Sequence, residues 1–385
     1  MPVEAIASAT LTATMEITVS RLELLRELTA TQGVVERKTT IPILSNYLFE
    51  AGGDKLSLTA TDLDLSLRTS CSAKVKKEGS CTIPARKLHD YVKLLPDADI
   101  TIKLLENHWV SIRCGRSNTK MVGMARSNFP SLPAFPTAGV VNIPTQVLRN
   151  MIAKTGFAIA SEESRYTLNG ALMVLKPESI VMVATDGHRL AHIERGGEKF
   201  EGVSGELKTL VPKKAMDELK SLLDSTDAEE VEFAKDESTL FFRIGQRLLT
   251  SRQLTGQFPN YEAVLPKDNS KSINLRGGEL SSAIARVAQF ADERSRAVRI
   301  KLEKGELKLS ASSTETGESE DTMEADYTGE PLTIGFNAQY ILDFLKAVGS
   351  GDVKLELKDA QSAGQLRPAE NEDYKYRYIV MPMRI

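Results

Sequence analysis

The chain has 385 residues, 41% of them apolar, enough for two or three domains at roughly 100–200 residues each. It has no run of roughly 18 apolar residues, so no segment reads as a membrane-spanning helix, and its net charge of −3 does not describe a strongly basic nucleic-acid binder. Three cysteines, Cys71, Cys81 and Cys114, are too few and too scattered for a zinc site or a disulfide framework and read as free, buried or half-buried thiols of a reducing cytoplasm.

The first stretch, Met1–Thr14, is rich in Ala, Thr and Ser but lacks a basic start and a long apolar run. It makes a poor signal peptide and reads as a disordered extension or as sequence ahead of the true start codon. From Met15 onward one plan recurs with a period near 125 residues. Met15–Gln32 predicts a short strand and an amphipathic helix, with Leu22, Leu25 and Leu28 at helical spacing. In Tyr47–Leu67 the alternation of Leu56–Leu67 (LSLTATDLDLSL) predicts a half-buried antiparallel strand. Thr82–Leu95 adds a second strand and helix, with Pro84 placed in the first helical turn.

The second copy repeats these pieces as Val141–Ile159, with Val147, Met151 and Ile152 on one helix face, then Ala171–Ile193 and Leu210–Leu223. The third supplies Ser272–Phe290, Val298–Ala311 and Thr333–Val348. Ala-Thr-Asp is shared, so Asp62 and Asp186 stand 124 positions apart, and Pro84 and Pro212 stand 128 apart. Each copy reads as β-α-ββ-β-α-βββ over about 120 residues, an α+β plan of two helices on antiparallel sheets. The expected domains are 15–136, 137–266 and 267–385, with linkers near Pro130–Gly139 and Pro266–Lys271. Three such units could close a ring, most simply when two chains meet head to tail.

The six expected helices hold twelve basic and seven acidic residues, a net of +5, which leaves −8 for the rest of the chain. Basic helices on an acidic remainder can draw in a polyanion locally. Arg86-Lys87 and Lys213-Lys214 sit at corresponding early helix positions, and the loop pair Arg37-Lys38 adds a third basic site. No aromatic ladder or base-reading motif accompanies them, so DNA contact is expected to ignore sequence and to weaken with salt.

An enzyme is the main rival reading, and a structural or adhesion repeat protein the second. His188 and His192 fall in a strand pattern, where four residues span roughly 13 Å, and no third metal ligand has sensible spacing. Asp62, Asp64 and Asp186 could imitate a catalytic cluster, but Asp62 and Asp186 are better read as turn residues accepting backbone N–H bonds. The sequence has no P-loop, no dinucleotide glycine motif and no nucleophile elbow, and it calls for no cofactor or metal.

Several segments, in this order and spacing, resemble the bacterial sliding clamps, the beta subunits of DNA polymerase III. They are Ile41-Pro42-Ile43-Leu44, Ile83-Pro84-Ala85-Arg86-Lys87, RYTLNG at Arg165–Gly170 and ATDGHRL at Ala184–Leu190. Phe258-Pro259-Asn260-Tyr261, Gly335-Phe336-Asn337 and the terminal Tyr378–Ile385 complete the set, and the match runs from Met15 to Ile385. The resemblance implies three clamp domains per chain, a head-to-tail homodimeric ring of six domains around duplex DNA, and no catalysis. It also implies a pocket between the second and third domains that takes short peptides bearing Leu and Phe. The owners of those peptides would be the replicative polymerase alpha subunit, the clamp loader, other polymerases and repair proteins.

Carried over, the peptide pocket comprises Arg165, Leu168, Thr185, Gly187, His188, Arg189, Leu190, Pro259, Val264, Tyr340, Ser362, Ile379, Val380, Met381, Pro382, Met383 and Arg384. Leu168, Leu190, Val264 and Val380 would form its apolar floor, Met381 and Met383 would adapt to several ligands, and Pro382 would stiffen the tail. The DNA contacts would be Arg37, Lys38, Arg86, Arg149, Lys213 and Lys214. At the ring's joint Glu318, Glu320 and Asp321 would face Lys87 or Arg116 of the other chain, with Phe290 adding an apolar contact. The chain departs from the family pattern at Ala263, where many relatives carry Arg, at Thr167, often aromatic, and at Glu162, sometimes neutral.

Overall fold

The computed structural model describes residues 14–36, 39–162, 164, 166–197, 199–315, 317–370 and 373–384. Residues 1–13 of the expected extension, Arg37, Lys38, Arg165 and Ile385 lie outside the described residues. The first copy is built from β1 (Met15–Ser20), α1 (Arg21–Ala30), β2 (Asn46–Gly52), β3 (Lys55–Thr61), β4 (Leu65–Ser72), β5 (Lys74–Lys77), β6 (Gly79–Pro84), α2 (Ala85–Leu94), β7 (Asp99–Leu104), β8 (Trp109–Cys114) and β9 (Ser117–Val122). The second holds β10 (Val141–Pro144), α3 (Thr145–Thr155), β11 (Gly170–Lys176), β12 (Ser179–Thr185), β13 (Arg189–Gly196), β14 (Leu207–Pro212), α4 (Lys213–Asp224), β15 (Glu230–Lys235), β16 (Thr239–Ile244) and β17 (Arg247–Arg252). The third holds β18 (Lys271–Leu275), α5 (Gly277–Val287), β19 (Ala297–Glu303), β20 (Glu306–Ser313), β21 (Gly317–Glu324), β22 (Leu332–Asn337), α6 (Ala338–Val348), β23 (Val353–Leu357), β24 (Gly364–Pro368) and β25 (Lys375–Val380).

The α+β repeat stands, with one strand more per copy than expected: β-α-βββ-β-α-βββ, plus the short β5 in the first. The extra strand arises where Leu56–Leu67 breaks into the hairpin β3–β4. Asp62 Oδ1 accepts the amides of Asp64 at 3.0 Å and Leu65 at 2.6 Å, an Asx turn that the apolar alternation conceals. Pro84 and Pro212 close their strands instead of opening their helices; Pro84 still pairs with Asn46, and α2 begins one residue later. On α1 the core face is Leu24 and Leu28, with Glu27 between them, whereas Leu22 is 55% exposed.

The chain folds into two compact units: the described residues of Met1–Val140 with Ser221–Arg252, and of Val141–Lys220 with Gln253–Ile385. In the first, one sheet runs β5-β1-β7-β8-β9. Alternate residues of β1 (Met15, Ile17 and Val19) are buried, and β8 and β9 meet at Trp109 opposite Val122. Its other sheet runs β15-β16-β17-β4-β3-β2-β6. There the last strand of the second copy, β17, joins the fourth strand of the first, β4, with Leu249 opposite Leu67. Behind this junction Glu27, fully buried, binds Arg247 Nε at 2.9 Å and Nη2 at 3.1 Å.

The second unit repeats the rule. Its large sheet runs β14-β11-β12-β13-β25-β24-β23-β18, joining the last strand of the third copy to the fourth strand of the second, with Leu190 opposite Ile379. A smaller sheet runs β21-β20-β19-β22. Two strands lack the partner this rule assigns: β9, last of the first copy, and β21, fourth of the third copy, each end their sheets among the described residues. All three cysteines are free and buried, as expected.

Candidate functional site

Within the second unit the β13–β25 junction carries an apolar groove. The hairpin between β12 and β13 turns at Asp186, whose Oδ1 accepts the amides of His188 at 2.9 Å and Arg189 at 3.0 Å. Thr185 Oγ1 accepts the Gly187 amide at 3.1 Å and donates to the Arg189 carbonyl at 2.6 Å. Gly187 stands at φ +88, the left-handed region that glycine enters without strain. Past the end of β25 the Met381 amide donates to the His188 carbonyl at 2.9 Å, holding the tail beside this turn.

The groove encloses about 140 Å³ and is lined by Leu168, Thr185, Gly187, His188, Arg189, Leu190, Pro259, Tyr261, Val264, Ile379 and Met381. Leu190 and Ile379 belong to a buried cluster with Leu172, Val174, Val181, Val183, Leu210 and Phe258, so the floor is fixed by the sheet itself. Val264 and Met381 are each 44% exposed, so the groove opens an apolar rim to solvent. The walls supply burial and shape, and they offer no nucleophile beside a base: the groove can hold an apolar side chain but is not equipped to transform it.

Arg189 lines the groove but sends its guanidinium behind the wall. Nε donates to Asp186 Oδ2 at 3.0 Å, Nη1 to Asp343 Oδ2 on α6 at 2.6 Å, and Nη2 to the Phe157 carbonyl at 2.6 Å. The Tyr340 ring lies 4.4 Å from it. Desolvation works against the charge, but the oxygens of Tyr378, Asp343 and Asp186 outweigh it and raise the pKa, so Arg189 is a cation. His192 packs its ring against Tyr261 at 5.6 Å, and burial, the largest influence, lowers its pKa.

Ten of the seventeen residues expected in the pocket line this groove. Arg165 is outside the described residues. Val380 is fully buried, facing away from its neighbour Ile379 as strand alternation requires. The Tyr340 ring lies against the Arg189 guanidinium instead of in the lining, and Ser362 lies in an Asx turn, its amide 2.8 Å from Asp359 Oδ1. Pro382 is half-buried, and the Met383 amide donates to the Gly335 carbonyl at 2.8 Å. Arg384 leaves the groove for a separate polar cavity of about 660 Å³ with Arg299, Glu318 and Glu320. Tyr261 is the lining residue that the sequence reading missed as a site residue; its signal was present in the Phe-Pro-Asn-Tyr motif. Ala263 and Glu162 are exposed. The Thr167 Cγ2 methyl sits so close to Gly256 that a Cβ there would lie 2.7 Å from it.

Four of the six expected DNA contacts, Arg86, Arg149, Lys213 and Lys214, stand on helices, and Arg37 and Lys38 lie outside the described residues. Arg86 and Lys214 are exposed, Arg86 lying 3.9 Å from Asp90. Lys213 and Arg149 are half-buried, Arg149 donating to Gln146 Oε1 at 2.8 Å. α4 runs one residue further than expected and brings in Asp224, so the helices hold eight acidic residues and the net falls from +5 to +4. Lys154 and Glu27 are buried, and leaving out one of each sign keeps the exposed balance at +4. Of the residues expected at the ring's joint, Lys87, Arg116, Glu318 and Glu320 are exposed and Phe290 is half-buried. Asp321 is engaged within its own chain by Arg286, at 2.8 Å from Nε and 2.5 Å from Nη2.

Three copies of one unit, bridged strand to strand and carrying an apolar groove, define a repeat-built binding protein. Family profiles make the assignment specific. The N-terminal, central and C-terminal domains of the DNA polymerase III beta subunit match residues 15–133, 142–260 and 262–384. The beta sliding clamp of Caulobacter vibrioides is 36% identical over 377 residues, covering 96% of this chain and all of that one. That of Pseudomonas putida is 37% identical over 374 residues, with 96% and 100% covered. Among solved structures, the sliding clamp of Pseudomonas aeruginosa bound to griselimycin superposes with a TM-score of 0.90 at 35% identity, covering 97% of this chain and 100% of that one. The clamp of Bartonella birtlesii bound to griselimycin gives 0.91 at 34%, with 96% and 100% covered. The chain belongs to the bacterial DNA polymerase III beta subunit family, the sliding clamps. It is a non-catalytic protein of DNA replication.

Proposed function

We propose that two copies close head to tail into a ring around duplex DNA and tether replication enzymes to it through the groove. The pairing rule carries this reading. Each last strand joins the fourth strand of the preceding copy, and only β9 and β21 lack that partner among the described residues. A second copy of the chain offers each the partner it lacks, and reciprocal pairing closes the assembly. Lys87 and Arg116 of one chain would then meet Glu318 and Glu320 of the other, with Phe290 packing beside them. In this reading 15–136, 137–266 and 267–385 are the domains.

The exposed helical excess of +4 would hold DNA by its phosphates without reading bases, through Arg86, Arg149, Lys213 and Lys214 together with Arg37 and Lys38. The groove would seat the Leu or Phe of short peptides from the polymerase alpha subunit, the clamp loader, other polymerases and repair proteins, against Leu168, Leu190, Val264, Ile379 and Met381. Its place of work would be the cytoplasm, and among the described residues no helix is long and apolar enough to cross a membrane. The test is retention on plasmid after loading by a clamp loader. Nicked circles should keep the protein, and linearisation should release it. Equal retention on both forms overturns encirclement.

A further inference from the structure

Building on the docking reading, we infer that Asp343, outside the groove, sets the groove's charge preference by holding the Arg189 guanidinium away from the bound peptide. Among the described residues, Arg189 is the one carrying a permanent positive charge on the groove lining. A free guanidinium there would select peptides with acidic residues beside their apolar anchors. Its three nitrogens are instead turned to the far side. Asp186 takes Nε, Asp343 takes Nη1 at 2.6 Å, and the Phe157 carbonyl takes Nη2. Tyr340 and Phe157 cover its faces, with ring centroids 4.4 and 5.5 Å away. Among the described residues two carboxylates, Asp186 and Asp343, hold this guanidinium, so the groove presents Arg189's aliphatic stem while its charge is matched on the far side.

The two carboxylates are not interchangeable. Asp186 also caps the β12–β13 turn, so its loss would deform the groove wall. Asp343 has no part in that turn: it stands on α6, is absent from the lining, and is steadied by Gln339 Nε2 at 2.8 Å. Asp343 is thus a positioning residue, acting on the ligand only through Arg189. Replacing it by Asn removes one negative charge and loosens one arm of the guanidinium while sparing every surface the peptide touches.

The experiment titrates fluorescent peptides bearing Leu and Phe, one set with neutral flanks and one with Asp and Glu flanks, at low and high salt. The wild-type chain should bind the neutral peptide at least as tightly as the acidic one. In Asp343→Asn the acidic-to-neutral affinity ratio should rise roughly three- to tenfold at low salt and fall back at high salt. Asp343→Glu, which keeps the charge, should retain the wild-type ratio, and Arg189→Met combined with Asp343→Asn should abolish the gain. An unchanged ratio in a folded Asp343→Asn, or an equal rise in Asp343→Glu, overturns the inference and leaves docking intact. Failure of the wild-type chain to bind either peptide overturns docking itself, and this inference with it.

Discussion

Glu27 and Arg247 form a buried ion pair whose second oxygens and nitrogens are also occupied. Glu27 Oε2 receives Thr69 Oγ1 at 2.6 Å, and Oε1 receives Arg26 Nε at 2.9 Å. Breaking such a pair leaves a charge buried without its counter-ion, a loss of about 3–5 kcal/mol. Glu27→Gln should therefore lower the urea midpoint markedly, and adding Arg247→Met should recover part of the loss, as a double-mutant cycle will measure. Burial would raise the Glu27 carboxyl, but Arg247 and Thr69 outweigh it and hold it below the usual carboxylate range. A depressed folded pKa means this stabilisation is full above the unfolded value and is lost only as pH falls through the folded one. The wild-type chain should lose it below pH 4.5, and Glu27→Gln should show a flatter acid limb. None of this was legible in sequence. Glu27 reads as one more solvated helix charge, and its partner lies 220 positions away.

At the level of elements, the first and second copies turn with the same bonds around a shared Ala-Thr-Asp but differ at the left-handed position that follows. Thr61 Oγ1 accepts the Leu63 amide and donates to the Leu65 carbonyl, both at 3.0 Å, as Thr185 does around Gly187. Yet Leu63 takes φ +85 where Gly187 takes +88, and Leu63 remains 48% exposed. A left-handed leucine is strained by about 1–2 kcal/mol, while a glycine costs the unfolded chain about 0.5–1 kcal/mol. Leu63→Gly should thus be neutral or stabilising by up to about 1 kcal/mol, whereas Gly187→Leu should destabilise by about 1–2 kcal/mol and abolish peptide binding. Thermal melts and peptide titration of the pair decide this; equal effects of the two changes would refute it. The six strand–helix openings were readable because their apolar spacing switches period at each boundary. The turn roles of Asp62 and Asp186 were readable too, but the split of Leu56–Leu67 into two strands was not, because an Asx turn preserves the alternation through the reversal. For the same reason the sequence could name Ile379 and Val380 together, while only the pleat separates the residue that lines the groove from the one that supports it.

For the whole molecule, a total charge of −3 coexists with basic helices, so affinity for DNA should depend on where charge lies more than on how much there is. Lys213→Glu with Lys214→Glu should weaken binding to any duplex alike and make the salt dependence shallower by about two released counterions. Sequence-selective loss, or no change at low salt, would show that these lysines do not meet the phosphates. The same scale gives meaning to the ends of the sheets. Trp109 is the one tryptophan of the chain, 43% exposed, and pairs with Val122 on β9, the strand left without its partner. Nature has in effect placed a single optical probe beside the expected seam. Diluting the protein should shift its emission toward that of a water-exposed indole in step with the change of mass seen by light scattering. Peptides entering the groove, built from other copies of the repeat, should leave that signal still, so that opening of the ring and occupation of its docking site can be followed separately in one cuvette.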